Sequence, residues 1–172
     1  MANYYSYMSS HKENGREKFY KCTLLIKKQL SIGWSKINPI NKTVAEIENG
    51  IEIFYKDSEA VKNIENAKKS LPLFAGLIPG DLVFIRGDAE ILDVVIITGI
   101  PFFAEQGDLG DDYCFKVPFT PLFNQQPAFK TNKIKGKEFR KEVLSKEGVN
   151  LVMHKIEENF ARKLLIKIFQ NE

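Results

Sequence analysis

Apolar and polar positions alternate in blocks along the chain, and the densest apolar block, Leu73 to Phe103, organises the rest. Within it Pro79-Gly80-Asp81 carries turn chemistry, Leu82 to Arg86 is a short apolar run, Gly87-Asp88-Ala89 turns again, and Glu90 to Thr98 is a longer run rich in Val and Ile. The pattern predicts a β-hairpin in which Leu82 to Arg86 pairs antiparallel with Ile91 to Thr98. Both strands are nearly continuously apolar, as strands covered on both faces are. The second ends at Gly99, where the chain must turn or admit a close neighbour. The aromatic pair Phe102 and Phe103 follows at once, and a hairpin with aromatics at its exit is either a core corner or the wall of a pocket.

Before this block the pattern is weaker. Residues 1–18 mix Tyr, Ser and charge without a period and read as a loosely ordered arm, with Tyr4, Tyr5 and Tyr7 available to fold back on the domain or to stack on a partner. Phe19 to Ile32 suits a strand with a bulge or two short strands, interrupted at Lys27-Lys28-Gln29. Gly33 and Trp34, the only tryptophan, stand at its end. Thr43-Val44-Ala45-Glu46 has the form of a capping box and opens a short helix expected to stop at Asn49-Gly50. Asp57 or Ser58 can cap a second helix through about Lys69, with Val61, Ile64, Ala67 and Leu71 on one face.

After the block, Ala104 to Asp112 reads as a polar, solvated connection, and Tyr113 to Val117 as a strand ended by Pro118. The acidic residues Asp108, Asp111 and Asp112 lack the spacing of a calcium loop. Phe119 to Phe129 reads as a packed irregular segment. The last stretch, residues 150–169, is expected to form a helix near 151–161 and then a closing strand over its LLIKIF run.

At 172 residues, 44% of them hydrophobic, the chain is long enough for one well-buried domain and short for two. Residues 19–172 are therefore taken as one domain behind the arm. The formal charge of +3 neither demands nor excludes a polyanionic partner, so its distribution matters more. Seven cations, Lys130, Lys133, Lys135, Lys137, Arg140, Lys141 and Lys146, fall between residues 130 and 146 against Glu138 and Glu142, the one basic concentration in the chain. Such a segment can hold a phosphate backbone, and it can equally be solvated surface.

Two cysteines far apart, Cys22 and Cys114, and two histidines argue against a zinc site, and no metal or cofactor is expected. There is no apolar run long enough to span a bilayer, so no membrane partner is expected and the cytoplasm is the simplest address. Gly136-Lys137 lacks the rest of a phosphate-binding loop, no Glu-x-Lys occurs, there is no Gly-x-Ser-x-Gly, and neither Cys has a His partner in sequence. A non-catalytic role is the expectation.

The order of signals resembles the EVE and YTH branch of the PUA-like superfamily, above all the modified-base-reading specificity domains of modification-dependent restriction systems. The resemblance rests on a strand ending Ile32-Gly33-Trp34, a helical segment, Leu71 and Phe74 ahead of Gly80-Asp81-Leu82-Val83, and an apolar strand into Thr98-Gly99 followed by Phe102-Phe103, and covers residues 20–123. It implies an α+β fold with a small, curved β-barrel and flanking helices. It also implies that a modified base, flipped from a duplex or taken from a single strand, is held in an aromatic cage. Carried onto this chain, the cage candidates are Trp34, Phe102 or Phe103, and Tyr113, while Asp81 holds turn amides. Where relatives tend to carry Gly-x-Tyr after the apolar strand, this chain has Ile100-Pro101-Phe102-Phe103.

Three readings follow. The first is a DNA-binding module recognising a modified base, serving an effector nuclease or motor GTPase in restriction or defence. The second is an RNA-binding module of the same fold class. The third is a structural or interaction domain whose aromatics, Trp34 included, are packing and whose basic segment is surface. Salt-dependent binding of polyanions separates the first two from the third.

Overall fold

The computed structural model describes residues 2–9, 15–56, 61–87, 91–108, 112–122 and 152–169. The fold is α+β. Its strands are β1 (Tyr4–Met8), β2 (Gln29–Ile32), β3 (Leu82–Arg86), β4 (Ile91–Ile97), β5 (Phe102–Phe103), β6 (Phe115–Pro121) and β7 (Met153–Ile156). They form one sheet in the order β2-β6-β4-β3-β1-β7, with β5 paired beside β6, and the sheet curls into a half-barrel. Only β1 and β3 run parallel; the remaining pairs are antiparallel.

The expected hairpin is β3 and β4, with Leu82 opposite Ile96, Val83 opposite Val95 and Phe84 opposite Val94. Its continuous apolarity has a direct cause, because both faces are covered. Val83, Ile85, Val95 and Ile97 point into the hollow of the sheet with Tyr5, Tyr7, Leu30, Ile32, Phe115 and Val117, where Ala67, Leu71 and Phe74 of helix α4 (Val61–Ala75) close over them. Phe84 and Val94 point the other way, onto Ala161, Leu164 and Ile168 of the C-terminal helix α5 (Glu158–Phe169). Each such side chain contributes roughly 1.5–3 kcal/mol by leaving water. With both faces apolar, a one-residue slip is not penalised by the alternation of side chains, so the turn and the packing of individual side chains must hold the register.

The turn before β3 is held as its sequence implies. Asp81 is fully buried, and its carboxylate accepts from the Ile78 amide at 3.1 Å and from the Asn3 amide and side chain at 2.9 and 3.1 Å. Gly99 is also explained: a Cβ there would stand 3.0 Å from the Pro118 ring.

Several expectations are corrected. Tyr4–Met8 is no loose arm but strand β1, inserted between β3 and β7. Its alternation was hidden because Tyr5 and Tyr7 fill the inner face while Ser6, on the other, is buried as well. Of the stretch Phe19 to Ile32 expected as strand, only Gln29–Ile32 is one; the residues before it are helical, with α1 (Arg16–Phe19), a π turn over Tyr20–Leu24 and α2 (Leu25–Lys27), stopped by Lys28 in the left-handed conformation. Each helical piece is only one turn long and only Phe19, Tyr20 and Leu24 are buried in it, too few positions to show a helical period in the sequence.

Helix α3 (Val44–Tyr55) begins at the expected capping box, Thr43 with Glu46, but runs through Gly50. Burial of Ile47 and Ile51 outweighs the cost of about 1 kcal/mol for a helical glycine, at which a Cβ would make only ordinary contact with Ile37, 3.6 Å away. Strand β6 contains Pro118 instead of ending there. Proline is tolerated where β6 passes from β5 to β4, and the Pro118 carbonyl accepts from the Thr98 amide. At the C-terminus the order is reversed, strand β7 first and then helix α5 across the LLIKIF run. That run is helical because Leu164 and Ile168 are spaced to meet the sheet's outer face while Lys163 and Lys167 stay exposed. The capping positions of α4, the irregular segment beyond Leu122 and the basic segment 130–146 lie outside the described residues.

Candidate functional site

Three chain segments that carry the aromatic candidates meet at one end of the sheet. Across β2, β6 and β5 the register places Ile32 opposite Phe115 and Phe115 opposite Phe103, and in the next row Ser31 opposite Lys116 and Lys116 opposite Phe102. Directly opposed residues share a face and successive ones alternate. Phe103 therefore shares the inner face with buried Ile32 and Phe115, and Phe102 the opposite face with Lys116 and Ser31. The two phenylalanines cannot belong to one wall. Trp34, just past the end of β2, and Tyr113, just before β6, are partly buried and pack against the same inner cluster as Phe103.

Trp34 and Tyr113 share a second property. Their φ angles are 65° and 61°, the left-handed region that bulky side chains avoid at a cost of about 1–2 kcal/mol each. Gly33, the residue before Trp34, does not have a positive φ. A Cβ at Gly33 would only make ordinary contact, 3.5 Å from both carboxylate oxygens of Asp112. The turn is thus made by the tryptophan itself.

Asp112 ties these segments together. Its Oδ1 accepts from the Ser35 hydroxyl at 3.1 Å and from the Tyr113 amide at 2.9 Å, while Ser35 Oγ accepts from the Cys114 amide at 3.0 Å. The Ala104 amide bonds the Cys114 carbonyl at 2.8 Å, which brings in the end of β5. Sequence reasoning had placed Asp112 in a solvated connection, and its spacing alone carries no signal of this clasp. Tyr55, at the end of α3, was also missed. Its hydroxyl accepts from the Lys36 amide at 3.3 Å, and Lys36 Nζ stands 5.8 Å from its ring centre. Burial pushes the Tyr113 phenol up to about 12, helped by the Asp112 charge. Burial likewise raises the Tyr55 phenol, and the Asp112 charge adds to it. Tyr113 also meets Phe19 edge-to-face at 5.2 Å.

The opposite face of the same strands carries a buried ionic cluster. Asp108, with its side chain shielded from solvent, takes Lys27 Nζ at 2.7 Å and Lys116 Nζ at 3.0 Å on Oδ1. Burial alone would raise its carboxyl, but the two ammonium groups hold it below the usual range. The Ser31 hydroxyl adjoins this carboxylate without reaching hydrogen-bond geometry. This cluster fastens the loop after β5 to α2 and β6.

Elsewhere, a recess of about 500 Å³ is lined by Ala2, Asn3, Tyr4, Lys155, Ile156, Glu157 and Glu158. Two carboxylates against one ammonium make it a poor seat for phosphate. No helix among the described residues is long and apolar enough to cross a membrane. No group of three or more His, Cys, Asp or Glu among them is placed to hold a metal ion. The cationic candidates Lys130, Lys133, Lys135, Lys137, Arg140 and Lys141 lie outside the described residues. Compared with known proteins, the chain matches no family model and no curated sequence.

Proposed function

We propose that this chain is a non-catalytic nucleic-acid-binding module that holds a modified base, extruded or single-stranded, against the aromatic rim of Trp34, Tyr113 and Phe103. Phe102 is left out of the wall because it shares the other face with Lys116. The observation that carries this reading is the pairing of two left-handed aromatics, Trp34 and Tyr113, on one inner rim, fixed by a shared clasp. Ordinary packing can be had without that backbone cost, and strain of this kind concentrates at ligand sites. Stacking on aromatic faces gains about 1–3 kcal/mol per base, which a rim of several rings can raise above the few kcal/mol needed for extrusion. The resemblance to PUA-like specificity domains supports DNA as the target over RNA, within a restriction or defence system that supplies an effector nuclease or motor GTPase. The cations of residues 130–146 supply sequence-independent phosphate contacts.

The single tryptophan makes the test direct, since a base stacked on Trp34 quenches its emission. Oligonucleotides of DNA and RNA, with and without 5-methylcytosine or N6-methyladenine, are titrated against the wild type and Trp34→Ala. The reading expects quenching by a modified DNA oligonucleotide and loss of the modified-base preference in Trp34→Ala, with weak salt-dependent binding retained. Reversing Lys133, Lys135 and Lys137 together should weaken all oligonucleotides alike and flatten the salt slope. Absence of any salt-sensitive oligonucleotide binding rejects it in favour of a structural or interaction domain.

A further inference from the structure

We propose that Asp112 is the specificity-determining residue of this rim, and that its free carboxylate oxygen selects bases bearing an exocyclic amino group, of the cytosine or adenine kind, over keto bases. The inference rests on the base-binding reading above. Its starting point is the unequal use of the two carboxylate oxygens. Oδ1 is taken by the Ser35 hydroxyl and the Tyr113 amide. Oδ2 has no hydrogen-bond or ion-pair partner among the described residues, although the Ser35 and Tyr113 bonds fix its position. Asp112 is exposed to solvent.

Aromatic residues flank the groups that touch this carboxylate in the chain. Trp34 lies between Gly33, whose missing side chain faces both Asp112 oxygens, and Ser35, which bonds one of them. Tyr113 follows Asp112 in the chain, and the Asp112 charge is felt at the phenols of both Tyr113 and Tyr55. A carboxylate offers acceptors only. Set at the edge of an aromatic rim, it attracts an N–H of a stacked base and repels a carbonyl oxygen. Cytosine and adenine present an amino group at the position where thymine, uracil and guanine present a keto oxygen, and carboxylates pair with the cytosine amine on that basis. A charge-assisted hydrogen bond of this type is worth roughly tenfold to a hundredfold in affinity.

The experiment compares 5-methylcytosine with thymine at one position of a single-stranded DNA oligonucleotide, so that extrusion cost is the same and only the amino or keto group differs. Binding is read from Trp34 emission at fixed salt. The wild type is expected to prefer the 5-methylcytosine probe by tenfold or more. Asp112→Asn keeps an oxygen for Ser35 and Tyr113 but puts an amide donor in place of Oδ2, so the preference should vanish or invert toward thymine. Ser35→Ala removes one of the two bonds that fix Asp112 while the Tyr113 amide still holds Oδ1, so affinity should fall for both probes and the preference for 5-methylcytosine should narrow without inverting. A merely structural Asp112 would change affinity without changing the ratio. Equal binding of the two probes by wild type overturns the inference and leaves the base-binding reading standing. Failure of every oligonucleotide to quench Trp34, or quenching only by a trimethyl-lysine peptide, overturns both. The wild-type ratio decides the matter even if Asp112→Asn does not fold.

Discussion

The phenol of Tyr7 on β1 donates a hydrogen bond of 2.5 Å to the backbone carbonyl of Ser31 on β2, although β6, β4 and β3 lie between those two strands in the sheet. The contact can form only because the sheet curls far enough for its two ends to face each other across the hollow. Tyr7 is 1% exposed and its ring packs on Phe74 at 6.4 Å, so it acts as a strut from the N-terminal strand to the strand that leads into Trp34. Burial raises the phenol well above its ordinary value, which keeps it protonated and donating.

Tyr7→Phe should therefore cost about 1–3 kcal/mol, since the Ser31 carbonyl loses its buried donor while ring packing is kept. For a chain of this length that lowers the melting temperature by roughly 2–4 °C per kcal/mol. A thermal melt indistinguishable from wild type would show that the strut contributes nothing.

A second buried phenol carries a different prediction. Tyr20, in the π turn, donates to Asp93 on β4 at 2.6 Å, and burial raises the Asp93 carboxyl against the opposing effect of that bond and of the Val94 amide. A carboxyl raised in the folded state holds its proton where the unfolded chain has lost it. Stability then falls as pH rises from the ordinary carboxylate range, near pH 4, through the raised value. Relative to Asp93→Asn, the wild type should lose stability over that window, as read by denaturant titrations at successive pH values. A difference that does not change with pH would remove the buried charge from the account.

Asp108 has the opposite sign. Its lowered carboxyl contributes stability above the ordinary carboxylate range, and that contribution is lost as pH falls through the lowered value. At neutral pH, Asp108→Asn should cost on the order of 3 kcal/mol, because Lys116, with its side chain 8% exposed, would be left buried without a counter-charge. Lys27, 47% exposed, is worth less than about 1 kcal/mol. Chemical denaturation of Asp108→Asn and Lys27→Ala at pH 7, repeated in acid, checks both the ranking and the narrowing of the Asp108→Asn deficit.

What the sequence made legible follows from how local each cause is. The β3–β4 hairpin, the Thr43 capping box and the Asp81–Ile78 turn contact are set by neighbours in the chain, and the residues themselves announce them, whereas Gly99 announces a close approach without naming Pro118 as the neighbour. The N-terminal strand was hidden because its partners, β3 and β7, are distant in sequence and its buried side chains are two tyrosines, a serine and a single methionine. The order of β7 and α5 was reversed because Leu164 and Ile168 satisfy a helix only once the outer face of the sheet exists to receive them. At the site, Trp34, Phe103 and Tyr113 could be named as aromatics at element ends, but their common face comes from the β5–β6–β2 register. Asp112, Ser35 and Tyr55 gave no signal, because a clasp between residues 35 and 112 is a product of the fold.

The left-handed backbone of Trp34 gives the last prediction, which concerns an order of stability. In an ordinary extended or helical position, glycine is worse than alanine by about 0.5–1 kcal/mol, because it gives up more freedom on folding. At φ 65° the order should invert, since alanine keeps the clash of its Cβ with the following carbonyl and glycine does not. Trp34→Gly should therefore be more stable than Trp34→Ala by about 1 kcal/mol, while both lose the emission change and the modified-base preference expected of the rim. Full burial would cost about 3–5 kcal/mol on truncation to alanine; Trp34 is only partly buried, so Trp34→Ala should lose less. Paired melts and oligonucleotide titrations of the two variants separate the cases. If glycine proves the less stable, the strained turn is not what holds the tryptophan. If both variants collapse with their relative preference among oligonucleotides unchanged, Trp34 is packing and no part of a base-binding wall.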